Sequence, residues 1–353
     1  LSSYGKLRRK ILANSALLSM VHMPYLGKGG TAMGISFGTC AFVTRRARDI
    51  EYHGIYSCVR YYEMTDEFVP ITFPVRNERF SVASSENFLK IPGAPIAYWV
   101  SNKLEGAYDS HNQIYESSIS EGQNITANND RYLRRFWEIS GKACNVKWRF
   151  YAKGGDYRKW GGNMEMVVDW SPSAQKNYRR DSSARIIPEY LQFRNGITWT
   201  LVTSSAQSFR YLPDIATFDK TGSAIFFTSE DILLKTLSFL NSSVSLFILR
   251  VLNSTMSLQI DDVRRLPFDP QKSPVSTERS TSLIALSASD WDAYETSWDF
   301  NTLPLLQPKN HAGTLEATYS RVRTHWQGMT DEMRTASSST PMGCKTSSRQ
   351  KCR

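Results

Sequence analysis

The stretch Lys147-Trp-Arg-Phe-Tyr-Ala-Lys-Gly-Gly-Asp-Tyr-Arg-Lys-Trp-Gly-Gly-Asn-Met-Glu-Met-Val-Val-Asp-Trp170 interleaves cations (Lys147, Arg149, Lys153, Arg158, Lys159) with wide flat rings (Trp148, Phe150, Tyr151, Tyr157, Trp160). Two glycine pairs, Gly154-Gly155 and Gly161-Gly162, permit sharp turns or close approach of backbone to another surface. Cations neutralise phosphates, and rings stack on bases or wedge between them. The competing reading is an aromatic hairpin with a solvated basic face. The surroundings favour the first. From Arg131 to Trp160 there are nine Lys or Arg and two acids, Glu138 and Asp156, and nine minus two leaves +7 of the chain's formal +10. A local field of that sign attracts polyanions and steers their approach.

A chain of 353 residues holds two domains with real cores, and 41% hydrophobic with 12% aromatic content belongs to a folded protein. The five cysteines (Cys40, Cys58, Cys144, Cys344, Cys352) show no paired spacing, so neither a zinc knuckle nor a disulfide framework follows. A reducing cytoplasm is the expected compartment. No run of eighteen apolar residues occurs and no basic amphipathic helix is evident, so a membrane partner is not expected. The N-terminus lacks a secretory pattern, and a start at Leu1 rather than Met suggests a piece of something longer.

The apolar spacing predicts a helix over residues 3–14, with Ser3 as cap and Leu7 and Ile11 on its inner face. Short apolar runs at 16–22 and 38–44 read as strands, and 54–60 alternates as a half-buried strand does. Together they read as the edge of an α/β sheet, too little for a complete nucleotide-binding fold. Residues 63–130 are polar and punctuated by Pro70, Pro74, Pro92 and Pro95, and 88–99 reads as an ordered loop. Asn128-Asn129-Asp130 would cap a helix from Arg131 to Ser140, with Leu133, Phe136 and Trp137 inward and Arg131, Arg134 and Arg135 at the rim. Strands are expected at 196–202, 208–211 and 223–227, then one long helix from Asp231 to Leu252. The Ser/Thr-rich residues 271–290 read as a linker, and the aromatic stretch Trp291–Leu306 as a segment docking back on the body.

No catalytic constellation is visible. The histidines are scattered, and Gly27-Lys28-Gly29-Gly30 lacks the spacing of a phosphate-binding loop. Asp261-Asp262 fits a turn cap better than acid–base work, and Ser204-Ser205 lacks a nucleophile-elbow context. Residues and spacing alone reach a nucleic-acid-binding module without an active centre.

The order of several longer segments adds to this. They are Gly38-Thr-Cys-Ala-Phe-Val-Thr44, Lys90-Ile-Pro-Gly-Ala-Pro-Ile-Ala-Tyr-Trp-Val-Ser101, Gly122-Gln-Asn-Ile-Thr-Ala-Asn-Asn-Asp-Arg-Tyr-Leu-Arg-Arg-Phe-Trp-Glu138 and Lys153-Gly-Gly-Asp-Tyr-Arg-Lys-Trp-Gly-Gly-Asn163. Leu252-Asn-Ser-Thr-Met-Ser-Leu-Gln-Ile-Asp-Asp262 and Glu295-Thr-Ser-Trp-Asp-Phe300 follow. In this order they resemble the C-terminal half of the adenine-specific DNA methyltransferases of BREX phage-defence systems, the phage growth limitation X-type family. The resemblance covers roughly residues 1–334. It implies methyl transfer from S-adenosylmethionine to adenine N6 in a short asymmetric duplex site, with the base flipped out. It further implies that the cofactor loop and an Asn-Pro-Pro-Tyr-type motif lie upstream; this chain has no Pro-Pro pair, so no catalytic or cofactor-binding residue and no metal ligand is expected in it.

The fold implied is the α/β edge of a Rossmann-like methyltransferase sheet (1–62), then an α+β target recognition domain (63–270) and a linker with a docking segment (271–334). Residues 335–353 are poor in apolar side chains, and one back-translation read in the neighbouring frame resembles the family's continuation. A frameshifted tail is therefore expected there.

The expected partner is double-stranded DNA, together with an upstream methyltransferase fragment or other phage-defence proteins. Lys153, Arg158, Lys159 and Arg131 are candidates for phosphate contact or guanine reading, since Arg can hold guanine O6 and N7 bidentately. Gln123, Asn128 and Asn129 are candidates for adenine edges, although helix capping also explains the asparagines. Trp160 and Tyr157 would stack or pack, and Arg210, within Phe209-Arg210-Tyr211, is a further candidate. The rival readings are a stand-alone specificity subunit of a restriction-modification system and a sequence-blind nucleic-acid-binding protein.

Overall fold

The computed structural model describes residues 4–24, 39–253 and 255–338. The glycine-rich Gly27–Gly30 stretch and most of the expected aberrant tail lie outside the described residues. The chain divides into two compact units, residues 1–111 with 251–254, and residues 112–250 with 255–353. That division falls well beyond residue 62, where the sequence suggested a boundary. The class is mixed α and β.

In the first unit α1 (Gly5–Asn14) leads into β1 (Ala16–His22), β2 (Cys40–Arg45) and β3 (His53–Cys58). Then come β4 (Ser81–Ser84), α2 (Ser85–Lys90) and α3 (Asn102–Ser110). The sheet order is β2-β1-β3-β4, with β1 and β3 parallel and the outer pairs antiparallel. Alternation along β3 follows the pleat: Gly54, Tyr56 and Cys58 are buried while His53 and Ile55 are exposed. The buried row joins Leu12, Leu17, Met20, Phe88 and Tyr98 in one apolar cluster. On α1 it is Leu12 that enters the core; Leu7, expected on the inner face, is exposed. β2, expected as a buried strand, is exposed throughout.

The second unit opens with α4 (Ile114–Ser117), β5 (Ser118–Ile119), α5 (Asn129–Tyr132), β6 (Leu133–Arg135), β7 (Trp148–Ala152), β8 (Met166–Asp169) and α6 (Pro172–Arg180). Strands β9 (Gly196–Trp199), β10 (Phe209–Leu212), β11 (Ala216–Phe218) and β12 (Ala224–Phe227) follow. The C-terminal part is helical: α7 (Glu230–Leu240), α8 (Ser243–Leu252), α9 (Ile260–Arg264), α10 (Thr277–Trp291) and α11 (Leu315–Ser338). Two four-stranded sheets result, β10-β9-β12-β5 and β11-β7-β8-β6.

Three expected elements come out differently. Of the helix expected over 131–140 only Arg131 and Tyr132 are α-helical, at the end of α5, because Leu133–Arg135 pairs antiparallel with Met166–Val168, and strand pairing outweighs local helix propensity. Of the three rings and chains expected inward there, Leu133 and Phe136 are buried and Trp137 is exposed. The long helix from Asp231 is two helices, α7 and α8, bent by 76°. The break is local: the Asn241 amide is taken by the Phe209 backbone, and Ser242 Oγ donates to the Phe239 carbonyl at 2.6 Å. The Ser/Thr-rich linker contains α10, capped by Ser276 Oγ accepting from Arg279 N–H. Its serines are a packing face. Ser280 Oγ lies 2.7 Å from Ser238 Oγ and donates to the Leu234 carbonyl, so α10 approaches α7 closely.

Trp298 meets Phe136 and Phe150 edge-on, with ring centroids 5.6 and 5.7 Å apart. Among the described residues no single helix is long and apolar enough to cross a membrane.

Candidate nucleic-acid interface

The basic aromatic stretch folds as β7 and β8 with a long connection between them. Its rings are mostly structural. Phe150 enters one core cluster and Tyr151, its neighbour on the opposite face of the strand, enters another. The Tyr151 hydroxyl donates to Asp219 Oδ2 at 3.1 Å, and its ionisation is pushed well up by burial and then by Asp219. Lys153 reaches the same carboxylate, 3.4 Å from Oδ2.

Trp160 is 1% exposed. Its N–H donates to the Phe209 carbonyl at 2.9 Å, and its carbonyl accepts from Tyr211 N–H at 2.8 Å, so it lies as an extra rung beside β10. This register requires the turn that follows. Gly162 has φ +93°, and a Cβ there would sit 2.5 Å from Arg158 Cδ and 3.1 Å from Trp291. Lys159 donates from Nζ to the Asn241 carbonyl at the end of α7, at 2.7 Å, and burial brings the amine down to about 8. Arg158 is paired with Asp290 of α10, 2.7 Å from Nη1 to Oδ2, and lies over the Trp291 ring.

Arg210 is also 1% exposed. It donates to the Arg158 carbonyl, Ser208 Oγ and Thr200 Oγ1 at 3.4, 3.5 and 3.3 Å. Burial, with the nearby Arg158 charge, lowers it to about 10. Five of the expected contact residues, Lys153, Arg158, Lys159, Trp160 and Arg210, are thus occupied inside the unit. The two asparagines are local as well. Asn128 Oδ1 accepts from Arg131 N–H at 3.0 Å as an N-cap, and Asn129 Oδ1 accepts from Thr126 Oγ1 at 2.8 Å. Tyr157 is exposed.

The remaining two, Gln123 and Arg131, lie on one side of the unit, where the structure supplies what the sequence did not show. A cleft of about 600 Å³ is walled by Ser120, Gly122, Gln123 and Ile125, by Tyr178 and Arg179 at the end of α6, by Ala184, Arg185 and Ile186, and by Ile260, Asp261 and Arg264. Its walls are tied by reciprocal backbone bonds between Ile125 and Arg185, at 2.9 and 2.8 Å. Arg264 is fixed by Ser118, donating from Nε to Oγ at 3.0 Å and from Nη2 to the carbonyl at 2.9 Å, and lies 3.9 Å over the Tyr115 ring. The Tyr178 hydroxyl donates to the Asp169 carbonyl at 2.8 Å. Burial and then Asp169 and Tyr132 push its ionisation up, while Arg131 opposes them, and the Tyr178 ring meets Tyr132 edge-on at 4.8 Å. Arg131 itself lies 5.0 Å from the centre of the Tyr132 ring.

Three arginines against one carboxylate give this cleft a positive wall. Next to it on α6, Lys176 and Arg180 are exposed. Among the described residues the side chains of Lys176, Arg180, Arg185 and Gln123 make no hydrogen bond or ion pair. The charge is therefore available to an outside anion, unlike that of the β7–β8 connection. Arg179, Arg185 and Arg264 were missed in the sequence. The run Lys176-Asn-Tyr-Arg-Arg180 carried a signal, basic residues closing a capped helix, but Arg185 and Arg264 join it only through folding.

No protein-family model matches the chain. It is 30% identical over 362 aligned positions to the adenine-specific methyltransferase PglX of Lacticaseibacillus casei (strain Zhang), covering 94% of this chain and 29% of that protein. It is 29% identical to the adenine-specific methyltransferase BrxX of Escherichia coli O9:H4 (strain HS), covering 90% of this chain and 26% of that protein. The chain thus spans under a third of the length of these relatives. Among solved structures, the type IIL restriction-modification enzyme MmeI in complex with DNA aligns at a TM-score of 0.38 and 10% identity, over 90% of this chain and 43% of that one. At that level the likeness supports no conclusion about this chain.

Proposed function

Because the chain is similar, over nearly its whole length, to a partial region of the PglX and BrxX adenine-specific methyltransferases, we propose that it is the DNA-recognising portion of such an enzyme. The whole enzyme would methylate adenine N6 in a short duplex site, using S-adenosylmethionine, within a BREX phage-defence system. The observation that carries the reading is the cleft bounded by Gln123, Arg179, Arg185 and Arg264, a positive wall on a pre-tied frame that includes the exposed, unpartnered Arg185. Arg131, Arg179 and Arg185 would neutralise phosphates. Gln123 has the donor–acceptor pair that matches adenine N6 and N7. Arg264, locked on Ser118, would shape the wall.

The first unit would be the last helix and strands of a Rossmann-like catalytic sheet. S-adenosylmethionine does not fit its described residues. The carboxyl ends of the parallel strands β1 and β3 carry His22 and Cys58, and the nearby carboxylates Glu63 and Glu78 are held by Asn77 and Arg60.

The test is selection of duplexes from a random library by the purified chain, with Gln123→Ala alongside. A short asymmetric motif should be enriched, and the variant should lose about 1–3 kcal/mol of discrimination at an adenine. Equal recovery of all duplexes, with tighter binding to single strands, would establish sequence-blind binding instead.

A further inference from the structure

Cys40, His22 and Cys58 form one cross-strand row in the first unit. His22 pairs with Cys40 on the antiparallel side of β1 and with Cys58 on the parallel side. Cross-strand partners project to the same face of a sheet, so one imidazole stands between two thiols. The two thiols differ in surroundings. Cys40 is exposed. Cys58 is 6% exposed and lies at the carboxyl end of β3, where the chain turns into Arg60.

Groups from every neighbouring segment converge on the Cys58 sulfur. His22 from β1 and Arg79 from the segment before β4 act on it by hydrogen bonding and charge. Arg60 senses its charge, while Glu78 pairs with Arg60 at 2.5 Å and Glu63 accepts from Asn77 at 2.9 Å. Tyr98, 3% exposed, faces it from the loop after α2 and is stacked on Tyr56 at 5.2 Å. Four buried polar atoms in this cluster have no hydrogen-bond partner: the Tyr98 and Tyr56 hydroxyls, His22 Nδ1 and Arg60 Nε. Orphaned buried donors are costly and mark a place where an acceptor is missing.

We propose that Cys58 is a peroxide-sensitive thiol site, at which hydrogen peroxide forms a sulfenic acid held by Tyr98 and His22. A sulfur lone pair attacks one peroxide oxygen, so the S–O bond forms as the O–O bond breaks. The second oxygen leaves as hydroxide and is protonated to water. Sulfur is oxidised by two electrons and peroxide is reduced by two. The new oxygen gives the Tyr98 hydroxyl a stronger hydrogen-bond acceptor than the sulfur it faces. His22 and Arg79 favour the anionic sulfur and more than offset its burial, which on its own acts the other way, whereas burial pushes the Cys40 thiol up. The product stays a sulfenic acid, because Cys40 lies two strands away, about 10 Å, beyond the roughly 7 Å limit for a disulfide.

The experiment exposes the full chain to hydrogen peroxide at a series of pH values from 6 to 9. The thiols that remain are alkylated after denaturation, and Cys40, Cys58 and Cys144 are read separately by peptide mass spectrometry. At pH 7 Cys58 should be lost at least about tenfold faster than Cys40, with its pH midpoint below those of the other two. Arg79→Gln and His22→Asn should each move that midpoint upward while circular dichroism stays native. A Cys58 that reacts no faster than Cys40, or that follows the pH profile of an ordinary thiol, overturns the proposal. The wild-type profile decides even where a variant fails to fold.

Discussion

Replacing Arg210 by Met separates an internal role from a DNA-reading one. The guanidinium is 1% exposed and has no carboxylate among its hydrogen-bond partners. Burial, together with Arg158, takes it from 12.5 to about 10. At about 1.4 kcal/mol per pH unit, this drop corresponds to a cost of about 3 kcal/mol for keeping the charge inside at neutral pH. Against it stand three hydrogen bonds of 3.3 to 3.5 Å to neutral oxygens, at the long limit of useful geometry. Such bonds are worth about 1–2 kcal/mol together. Two of the acceptors keep other partners: Thr200 Oγ1 donates to the Gly155 carbonyl, and Ser208 Oγ accepts from Arg158 N–H. Met fills much of the same channel without charge. Arg210→Met should therefore leave stability unchanged or raise it by up to about 2 kcal/mol. In a unit of this size 1 kcal/mol moves the melting midpoint by about 2–4 °C. Urea and thermal unfolding at pH 7 supply the number, and duplex affinity should not change. A loss of more than about 2 kcal/mol would refute the balance of terms. Lost DNA binding at unchanged stability would return Arg210 to the interface.

Two other predictions concern the same loop. Lys159 is brought below its ordinary value by burial, so the unfolded chain binds more protons between about pH 8 and 10.5. Stability should rise with pH across that window relative to Lys159→Met, read as the difference between the two unfolding curves; a flat difference would contradict the burial. Gly162→Ala places a Cβ 2.5 Å from Arg158 at φ +93° and should cost about 1–3 kcal/mol by denaturant unfolding. An unperturbed midpoint would show that the turn relaxes.

What could be read from the sequence was set by how local each signal is. β1, β3, β9 and β12 follow from apolar runs and alternation within single segments. The helix expected over 131–140 failed because Leu133–Arg135 finds its partner, Met166–Val168, about thirty residues downstream. The serines of α10 looked like linker text because their use, close approach to α7, depends on a second helix. At the interface, the density of charge between Arg131 and Trp160 was legible but its direction was not. Lys153, Arg158 and Lys159 turn inward to Asp219, Asp290 and the end of α7. Unpartnered cations on α6 and at Arg185 lie outside that window. Gln123 lies with them because the Ile125–Arg185 pairing brings its segment to the same wall.

The proposed function puts DNA at the arginine-walled cleft and not at the β7–β8 connection. The most direct measurement is the salt dependence of duplex binding for the wild-type chain and for Arg179→Ala/Arg185→Ala, with fluorescence anisotropy between 50 and 200 mM salt on the order used for counterion analysis. Losing two phosphate contacts should lower the slope of log K against log salt by about two, with folding unchanged. An identical slope in the two proteins would contradict the claim.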